Sequence, residues 1–432
     1  MFKEIFARHL ALAAPAGAAL PGDACRTTSS RVCRLCHASG VEYLAEAVAR
    51  DGALREFWRA FLPGTPIAPL VRSPLGRGYR TVSKRKAFPV KGEIRLGLIG
   101  AEGEERHRPL DVTACRVEPA SHAAVYLRMQ HAIESGSARP LLPVLRYVIV
   151  KGNSSDLVVI LSVTRIDTGV VSAANSVSRS LTKSCPDVRG VMLYEDRSDG
   201  RYYLGTRSPG GRGKVRKIFG ETSVYQKFGG KGFLFPPLAF SQVNASLVDG
   251  LIDEAGRMLA LSQESDLYDL YCGYGLFTLT IGARARRAAG FEWTPEAIEA
   301  AEANGRRLGS AHARFFRSDI TGETLSRLLS RMRRADALLL DPPRGGTGPG
   351  VIESAAARRP GKAVHMFCNI DIVEAELFRW QKAGYVPVRA VPFDLFPGTD
   401  DTEIMVLLTP AGGRGEAGTV QRTALKGISS TR

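Results

Sequence analysis

The sequence predicts an α/β protein whose carboxyl-terminal part is a doubly wound, mostly parallel sheet. From residue 244 onward, short apolar runs alternate with helical segments, which is typical of parallel strands covered on both faces. Before residue 244, short β-rich runs are separated by glycine and serine clusters, which indicates a preceding α+β region. A segment that contains clustered cysteines comes before both parts.

The composition is that of a globular protein with a polyanionic partner. Of its 432 residues 44% are hydrophobic, so bulk disorder and fibrous repeats are excluded. Its 59 lysines and arginines against 43 acids give a formal charge of +16, which favours nucleic acid as the partner. Seven cysteines are too few for a disulfide scaffold, and no run approaches the ~18 apolar residues of a membrane span. We therefore expect a cytoplasmic monomer with reduced thiols and no obligate protein partner.

Changes in composition and hydrophobic pattern along the chain predict four segments. They are a cysteine-cluster and basic segment (1–92), a central α+β RNA-binding domain (93–243), the doubly wound domain (244–411) and a disordered basic tail (412–432). Within the first segment, residues 72–91 hold seven cations and no acid, and Tyr79 and Phe88 lie among them. Such a run is usually a solvated face, but here the overall charge favours RNA contact.

Polar residues follow the predicted parallel strands, which are residues 266–271, 288–292, 314–317, 335–341 and 363–368. Ligands of doubly wound sheets bind at the carboxyl ends of the strands. After the first strand, Gly273 and Gly275 allow a close backbone approach, although a Gly-x-Gly pair alone is weak evidence. Glu292 ends the second strand, where a carboxylate can bind both hydroxyls of a ribose. Because the third glycine of a dinucleotide fingerprint is missing, the pattern predicts S-adenosylmethionine rather than NAD. Two further runs, residues 387–393 and 403–408, are expected to close the sheet as an antiparallel pair.

The fourth and fifth strands end in residues that are candidates for a catalytic role. Asp341 opens the sequence DPPRGG, and Cys368 follows the fifth strand. A lone cysteine at a strand end is most often a small packing residue, but its position beside Asp341 favours a nucleophile. Methylation of uracil carbon 5 requires thiolate addition at carbon 6 and a base that then removes the proton from carbon 5. Glu403 is the candidate base. The alternative is that Glu403 is an acid on an edge strand without a catalytic role.

Four cysteines predict a metal centre near the amino terminus. Cys25, Cys33 and Cys36 have the spacing Cys-x7-Cys-x2-Cys, and Cys115 lies far downstream. Four thiolates hold either tetrahedral zinc or a 4Fe–4S cluster, and spacing does not choose between them. The alternative is a set of unligated core thiols.

Taken together, DLYCG, DPPRGG, FCN and FPGTDDTE resemble the RNA uracil-5 methyltransferases over about residues 25–408. The resemblance implies a Rossmann-like class I methyltransferase domain with Cys368 as nucleophile and Glu403 as base. It also implies that the methyl donor or the uracil is contacted by Gln242, Tyr271, Glu292 and Asp341. The cysteine spacing looks most like the branch that modifies 23S ribosomal RNA, and this implies a 4Fe–4S cluster, with zinc as the alternative.

The last motif departs from the family pattern Phe-Pro-x-Thr-x-His-x-Glu. Asp401 replaces the histidine, and Gly398 stands where a further histidine often follows the proline. A second carboxylate near Glu403 is expected to raise carboxyl pKa values by repulsion. The departure also leaves open a catalytically degenerate RNA-binding protein. A transfer-RNA uracil-5 methyltransferase is a further alternative, whereas Arg344 argues against the cytosine-5 enzymes, which place a cysteine after the proline pair.

Overall fold

The computed structural model describes most of the chain. The described residues are 1–13, 25, 36–38, 40–91, 93–99, 109–110, 115–153, 155–196 and 213–412. Cys33 and the predicted basic tail from residue 413 onward lie outside these residues. The bounds of the four predicted segments stay predictions.

Ten α-helices are described, and residues that favour helix starts lie at two of them. They are α1 (Phe2–Ala13), α2 (Tyr43–Phe61), α3 (Ala120–Glu134), α4 (Thr168–Ser184), α5 (Val248–Leu259), α6 (Leu276–Thr280), α7 (Pro295–Arg307), α8 (Gly322–Leu328), α9 (Val351–Ala357) and α10 (Val373–Lys382). The Asn244 side chain accepts a hydrogen bond from the Ser246 amide at 3.2 Å and caps the short turn that leads into α5. Pro295 occupies the first turn of α7, where its missing N–H costs nothing.

The described strands before residue 240 form one seven-stranded sheet and a separate hairpin. The strands are β1 (Val82–Val90), β2 (Glu93–Ile99), β3 (Pro109–Leu110), β4 (Leu145–Lys151), β5 (Leu157–Val163), β6 (Val188–Glu195), β7 (Val215–Gly220), β8 (Val224–Phe228) and β9 (Lys231–Phe235). The first sheet has the order β3-β2-β1-β4-β5-β6-β7, and β8 pairs with β9. Within the first sheet, strands β5 and β6 are parallel neighbours. Strand β5 is buried along its whole length because both faces of the sheet are covered.

The second sheet confirms the predicted Rossmann-like architecture. Its strands are β10 (Asp266–Leu270), β11 (Arg287–Glu292), β12 (Ala313–Arg317), β13 (Ala337–Leu340), β14 (Lys362–Phe367), β15 (Tyr385–Phe393) and β16 (Glu403–Pro410), in the order β12-β11-β10-β13-β14-β16-β15. The first five positions are parallel, and β16 pairs antiparallel with both β14 and β15. The predicted antiparallel closing pair is therefore confirmed.

The amino-terminal helices pack against the second sheet. Buried side chains of α2, including Leu54, Trp58 and Phe61, share one core with Trp380 of α10 and residues of β13 and β14. The chain after α2 then runs beside β15, where the Ala68 amide donates to the Ala390 carbonyl at 2.8 Å and the Val71 amide to the Pro392 carbonyl at 2.9 Å. The beginning of the chain is thus part of the support of the carboxyl-terminal sheet.

Within the described part of the chain, every helix is too short or too polar to cross a bilayer.

Candidate active site

The second sheet brings the predicted catalytic residues to one edge. Asp341 directly follows β13 and Cys368 directly follows β14, so both lie at the carboxyl ends of parallel strands. Glu403 begins β16, and because Phe367 faces Ile404 in the antiparallel register, Cys368 and Glu403 come next to each other. Cys368 is half-buried rather than sealed in the core, whereas Glu403 is only 3% exposed.

The charges around Cys368 oppose its ionisation. Burial first, and then the Glu403 and Asp341 carboxylates, raise the pKa of the Cys368 thiol to about 12, while the Arg344 guanidinium acts in the opposite direction. The thiol is therefore protonated at neutral pH in the free protein. Any reaction that uses it as a nucleophile has to remove this proton when the substrate arrives.

The surroundings of Glu403 make its carboxylate a stronger base than an exposed one. Burial raises its pKa well above the usual range, Asp341 adds to this effect by repulsion, and Arg344 opposes it. The pKa of Asp341 is raised by burial as well. Two buried carboxyls with raised pKa values lie beside one thiol, and groups of this kind can accept and return a proton, as general acid–base catalysis requires.

Asp401 does not have the effect that the sequence suggests. Both of its carboxylate oxygens accept from the Arg344 guanidinium, and one of these bonds measures 3.0 Å from Nη1 to Oδ2. The pKa of Glu403 is raised by burial and by Asp341, with no part for Asp401. The expectation that Asp401 perturbs the base by repulsion is therefore wrong, because its charge is balanced by Arg344.

Gln242 reaches this edge from the segment between the two sheets. Its Nε2 donates to Oδ2 of Asp341 at 3.4 Å. The backbone of the segment is held by Thr81, whose Oγ1 donates to the Gln242 carbonyl at 2.8 Å and whose amide donates to the Val243 carbonyl at 2.9 Å. Thr81 directly precedes β1 of the first sheet. The contact between Gln242 and Asp341 therefore joins the first sheet to the candidate site.

The loop after β10 has the backbone shape of a ligand cradle. Tyr271 has a φ of 66° and Gly273 a φ of 54°, and a Cβ on Gly273 would meet open space. Glu292 closes the loop, since its Oε2 accepts from the Gly273 amide at 3.4 Å and its Oε1 from the Thr294 amide at 2.7 Å. Tyr271 and Glu292 are close enough to interact electrostatically. A glycine backbone, open space and a carboxylate at the next strand end suit an adenosyl group.

Two features of the site were missed in the sequence. The sequence gives no sign of the role of Arg344, whose charge acts on both Cys368 and Glu403. Arg50 of α2 is fully buried and contacts the segment that precedes Glu403. A signal for it existed, because Glu46 and Arg50 share one helical stripe with the apolar Leu54, and a charged pair on a buried face is unusual.

Two of the seven cations in the basic run of residues 72–91 form ion pairs within the protein. Arg77 donates to Glu46 at 2.9 Å, and Arg85 forms two hydrogen bonds of 2.8 Å with Glu118 while nearly buried. These two cations are therefore neutralised by internal carboxylates, which reduces the number available to RNA below the sequence expectation.

The structure describes three of the four predicted metal ligands. Cys25 is buried, and Cys36 and Cys115 are close enough to interact electrostatically with each other and with Arg80. Among the described residues, no group of three or more His, Cys, Asp or Glu side chains is arranged to hold a metal ion. Cys33, the fourth predicted ligand, lies outside them.

Comparisons with known proteins find similarity to RNA methyltransferases. Residues 233–411 match the tRNA (uracil-5-)-methyltransferase family. An uncharacterized RNA methyltransferase of Thermotoga maritima is 25% identical over 382 residues, which is 87% of this chain and 82% of that protein. A second one, from Oceanobacillus iheyensis, is 23% identical over 397 residues, with coverages of 89% and 84%.

A solved structure shows the same fold. The Pyrococcus abyssi tRNA (uracil-54, C5)-methyltransferase in complex with S-adenosyl-L-homocysteine superimposes with a TM-score of 0.65 at 18% identity, covering 86% of this chain and 84% of that one. The fold and the similarities define this chain as an enzyme of the methyltransferase class. Its sequence relatives are named RNA methyltransferases, and the family that matches its carboxyl-terminal part acts, by its name, on uracil.

Proposed function

We propose that this chain transfers a methyl group from S-adenosylmethionine to carbon 5 of a uridine in RNA. The observation that carries the proposal is the meeting of Cys368, Glu403 and Asp341 at one strand edge, beside the open cradle at Gly273. The match to a uracil-5 methyltransferase family and the names of the relatives support it. A formal charge of +16 suits an RNA substrate.

In this proposal a neighbouring carboxylate takes the proton of the Cys368 thiol, and the thiolate adds to carbon 6 of the uracil, which makes carbon 5 nucleophilic. Carbon 5 would then take the methyl group, and this leaves the donor as S-adenosylhomocysteine. After methylation Glu403 removes the proton from carbon 5, and the Cys368 thiolate leaves by elimination. The target base has to be unstacked to reach the half-buried sulfur. Arg344 favours the ionised forms of both Cys368 and Glu403, and so assists the addition and prepares the base.

The cradle residues are proposed to hold the donor. S-adenosylmethionine supplies the electrophilic methyl group when it is bound. Glu292 would bind its ribose hydroxyls, and Tyr271 and Asp341 would flank it at the neighbouring strand ends. Gln242, which donates to Asp341 at 3.4 Å, would orient that carboxyl towards donor and base.

The RNA is proposed to be 23S ribosomal RNA, on the strength of the cysteine spacing, and the protein to act as a monomer in the cytoplasm. Transfer RNA is the second candidate, because the matching family is named for it. Purified 23S ribosomal RNA and transfer RNA, each taken from cells that lack the gene, would be incubated with the protein and S-adenosylmethionine. Mass spectrometry of the nucleosides should find 5-methyluridine in the ribosomal RNA, and its formation in transfer RNA alone would decide for the second candidate.

A 4Fe–4S cluster on Cys25, Cys33, Cys36 and Cys115 is proposed as a structural clip. Thiolate donors suit iron–sulfur clusters and zinc alike, and Arg80 beside Cys36 and Cys115 would balance the negative charge of such a centre. Anaerobic purification followed by iron, sulfide and zinc analysis separates the two metals. One equivalent of zinc without iron would replace the cluster in this proposal.

A catalytically degenerate RNA-binding protein is the rival. It predicts RNA binding without methyl transfer and without covalent capture of RNA that contains 5-fluorouridine. Our proposal predicts both reactions, since 5-fluorouracil has no proton on carbon 5 for Glu403 to remove and the adduct persists. RNA binding with neither reaction would decide for the rival.

A further inference from the structure

The segment that leads into Glu403 is held by a helix from the opposite end of the chain. Arg50 of α2 donates from Nη1 to the Asp401 carbonyl at 3.0 Å and to Thr402 Oγ1 at 3.1 Å. From Nη2 it donates to the Thr399 carbonyl at 2.5 Å. One guanidinium thus contacts three of the four residues that precede Glu403.

Glu46, one helical turn before Arg50, completes this arrangement. Its Oε1 accepts from Arg50 Nη2 at 2.9 Å and from the Gly398 amide at 2.6 Å, and its Oε2 accepts from Arg77 at 2.9 Å. Arg50 Nε lies 3.3 Å from Oδ1 of Asp394, at the end of β15. Both Glu46 and Arg50 are completely shielded from solvent.

A buried ion pair is a poor way to stabilise a fold. Its desolvation cost is close to its Coulombic gain, and well-packed apolar side chains of similar volume often do as well or better. What an apolar pair cannot do is fix backbone carbonyls and an amide in one arrangement. Here Arg50 and Glu46 direct four hydrogen bonds at residues 398–402, the segment between the two strands that leads to the candidate base.

The effect extends to the thiol through Asp401. Arg50 fixes the Asp401 backbone, the Asp401 side chain binds Arg344, and Arg344 lowers the pKa of both Cys368 and Glu403. Displacing the segment would move the base and the cation together.

We propose that Glu46 and Arg50 are positioning residues for the proton-abstraction step, holding residues 398–402 so that Glu403 reaches carbon 5 of the bound uracil. This inference rests on the proposed function, because it assigns a step to Glu403. It predicts that loosening the segment slows release of the methylated RNA more than it slows formation of the covalent adduct.

The test compares Arg50→Met, Arg50→Lys and Glu46→Gln with the wild-type protein. Each is mixed with ordinary RNA and S-adenosylmethionine, and the covalent protein–RNA complex is followed on denaturing gels beside the yield of 5-methyluridine. For Arg50→Met we expect release to slow on the order of tenfold or more, with accumulation of the covalent complex and an unchanged Kd for S-adenosylmethionine. Arg50→Lys keeps the charge and should recover part of the rate.

Asp336→Asn is the matched control. Asp336 is equally buried and accepts from the Asp266 amide at 2.9 Å and the Arg333 amide at 2.7 Å, at the other end of β13 from Asp341. It should cost stability without changing the ratio of release to adduct formation.

If Arg50→Met folds and keeps the wild-type ratio, or if all steps fall in proportion to the folded fraction, the inference is overturned. If Arg50→Met does not fold, Glu46→Gln decides by the same ratio. A wild-type protein that neither captures 5-fluorouridine RNA nor transfers methyl groups refutes the proposed function itself, and that result is distinct from an unchanged ratio in the variants.

Discussion

Arg344 and Asp401, 57 residues apart in the chain, form a two-pronged ion pair at the rim of the candidate site, with one bond of 3.0 Å between Nη1 and Oδ2. The Arg344 side chain is exposed and that of Asp401 is partly exposed, so the pair adds about 0–1 kcal/mol to stability. Its importance is electrostatic, because the Arg344 charge opposes the rise in pKa of both Cys368 and Glu403. Asp401 thus supplies a carboxylate partner for a cation that acts on both groups.

Replacing Cys368 with alanine should abolish methyl transfer and the covalent capture of RNA that contains 5-fluorouridine. Cys368 is the thiol that interacts with both Glu403 and Asp341 at this edge, so its loss removes the proposed nucleophile. Denaturing gels detect the adduct, and methyl incorporation is measured in parallel. Cys185→Ala is the control, since Cys185 is a buried thiol in the core of the first sheet. Full activity in Cys368→Ala would remove the thiol from the mechanism.

Replacing Glu403 with glutamine should leave adduct formation intact and slow its resolution by about 10²–10⁴-fold, the usual effect of losing a general base. The covalent complex with ordinary RNA is then expected to accumulate after methyl transfer. Glu254→Gln provides a comparison, because Glu254 is a buried carboxylate on α5 that pairs with Arg257 and Arg389. Unchanged turnover in Glu403→Gln would assign the base to another group.

Arg344→Met should shift the pH dependence of adduct formation to higher pH. The pKa of Cys368 is already raised to about 12, and Arg344 lowers it, so losing the cation raises it further. Below that pKa the thiolate fraction falls tenfold per pH unit, and a displacement of about one unit would cost about tenfold in rate at fixed pH. Adduct formation with 5-fluorouridine RNA from pH 6.5 to 9.5 measures it.

Asp401→Asn tests the same ion pair by removing the negative charge instead of the positive one. It leaves the Arg344 charge without its carboxylate partner, and adduct formation should stay at the wild-type rate or increase. A pH profile for Arg344→Met that coincides with the wild-type profile would contradict this account of the ion pair.

Glu292→Ala should weaken binding of S-adenosylmethionine without unfolding the protein. Charge-assisted hydrogen bonds contribute about 1.5–3 kcal/mol each, which corresponds to a rise in Kd of about 10- to 100-fold. Isothermal titration calorimetry gives the Kd directly. Glu299→Ala, an exposed carboxylate on the adjacent helix α7, should bind the donor normally. Equal affinities for the two variants would place the ribose elsewhere.

The sequence predicts the positions of those site residues that lie at strand ends. Because parallel strands present their carboxyl ends at one edge, the positions of Asp341 and Cys368 could be deduced from two apolar runs and the residues after them. The antiparallel closure then brings Glu403 to Cys368, since the register pairs Phe367 with Ile404. These inferences need only local periodicity and a rule of topology.

What could not be predicted depends on side chains that meet across the fold. Arg50 hydrogen-bonds a residue 351 positions away, and no local pattern reveals such a contact. The sequence wrongly predicts repulsion between Asp401 and Glu403, because it shows that the two residues are near each other in the chain and does not show the ion pair of Asp401 with Arg344. The same holds for Arg77 and Arg85, which read as RNA-binding cations and lie against internal carboxylates.

The hydrogen bonds that Ala68 and Val71 make along β15 have a consequence for how this protein can be handled. β15 is the outermost strand on its side of the sheet, and an uncovered border strand offers backbone groups to any other chain. A fragment that starts after residue 71 would lose this cover and present that border to its neighbours in solution. The segment up to residue 71 therefore has to be kept with the carboxyl-terminal half if β15 is to stay covered and the fragment free of self-association.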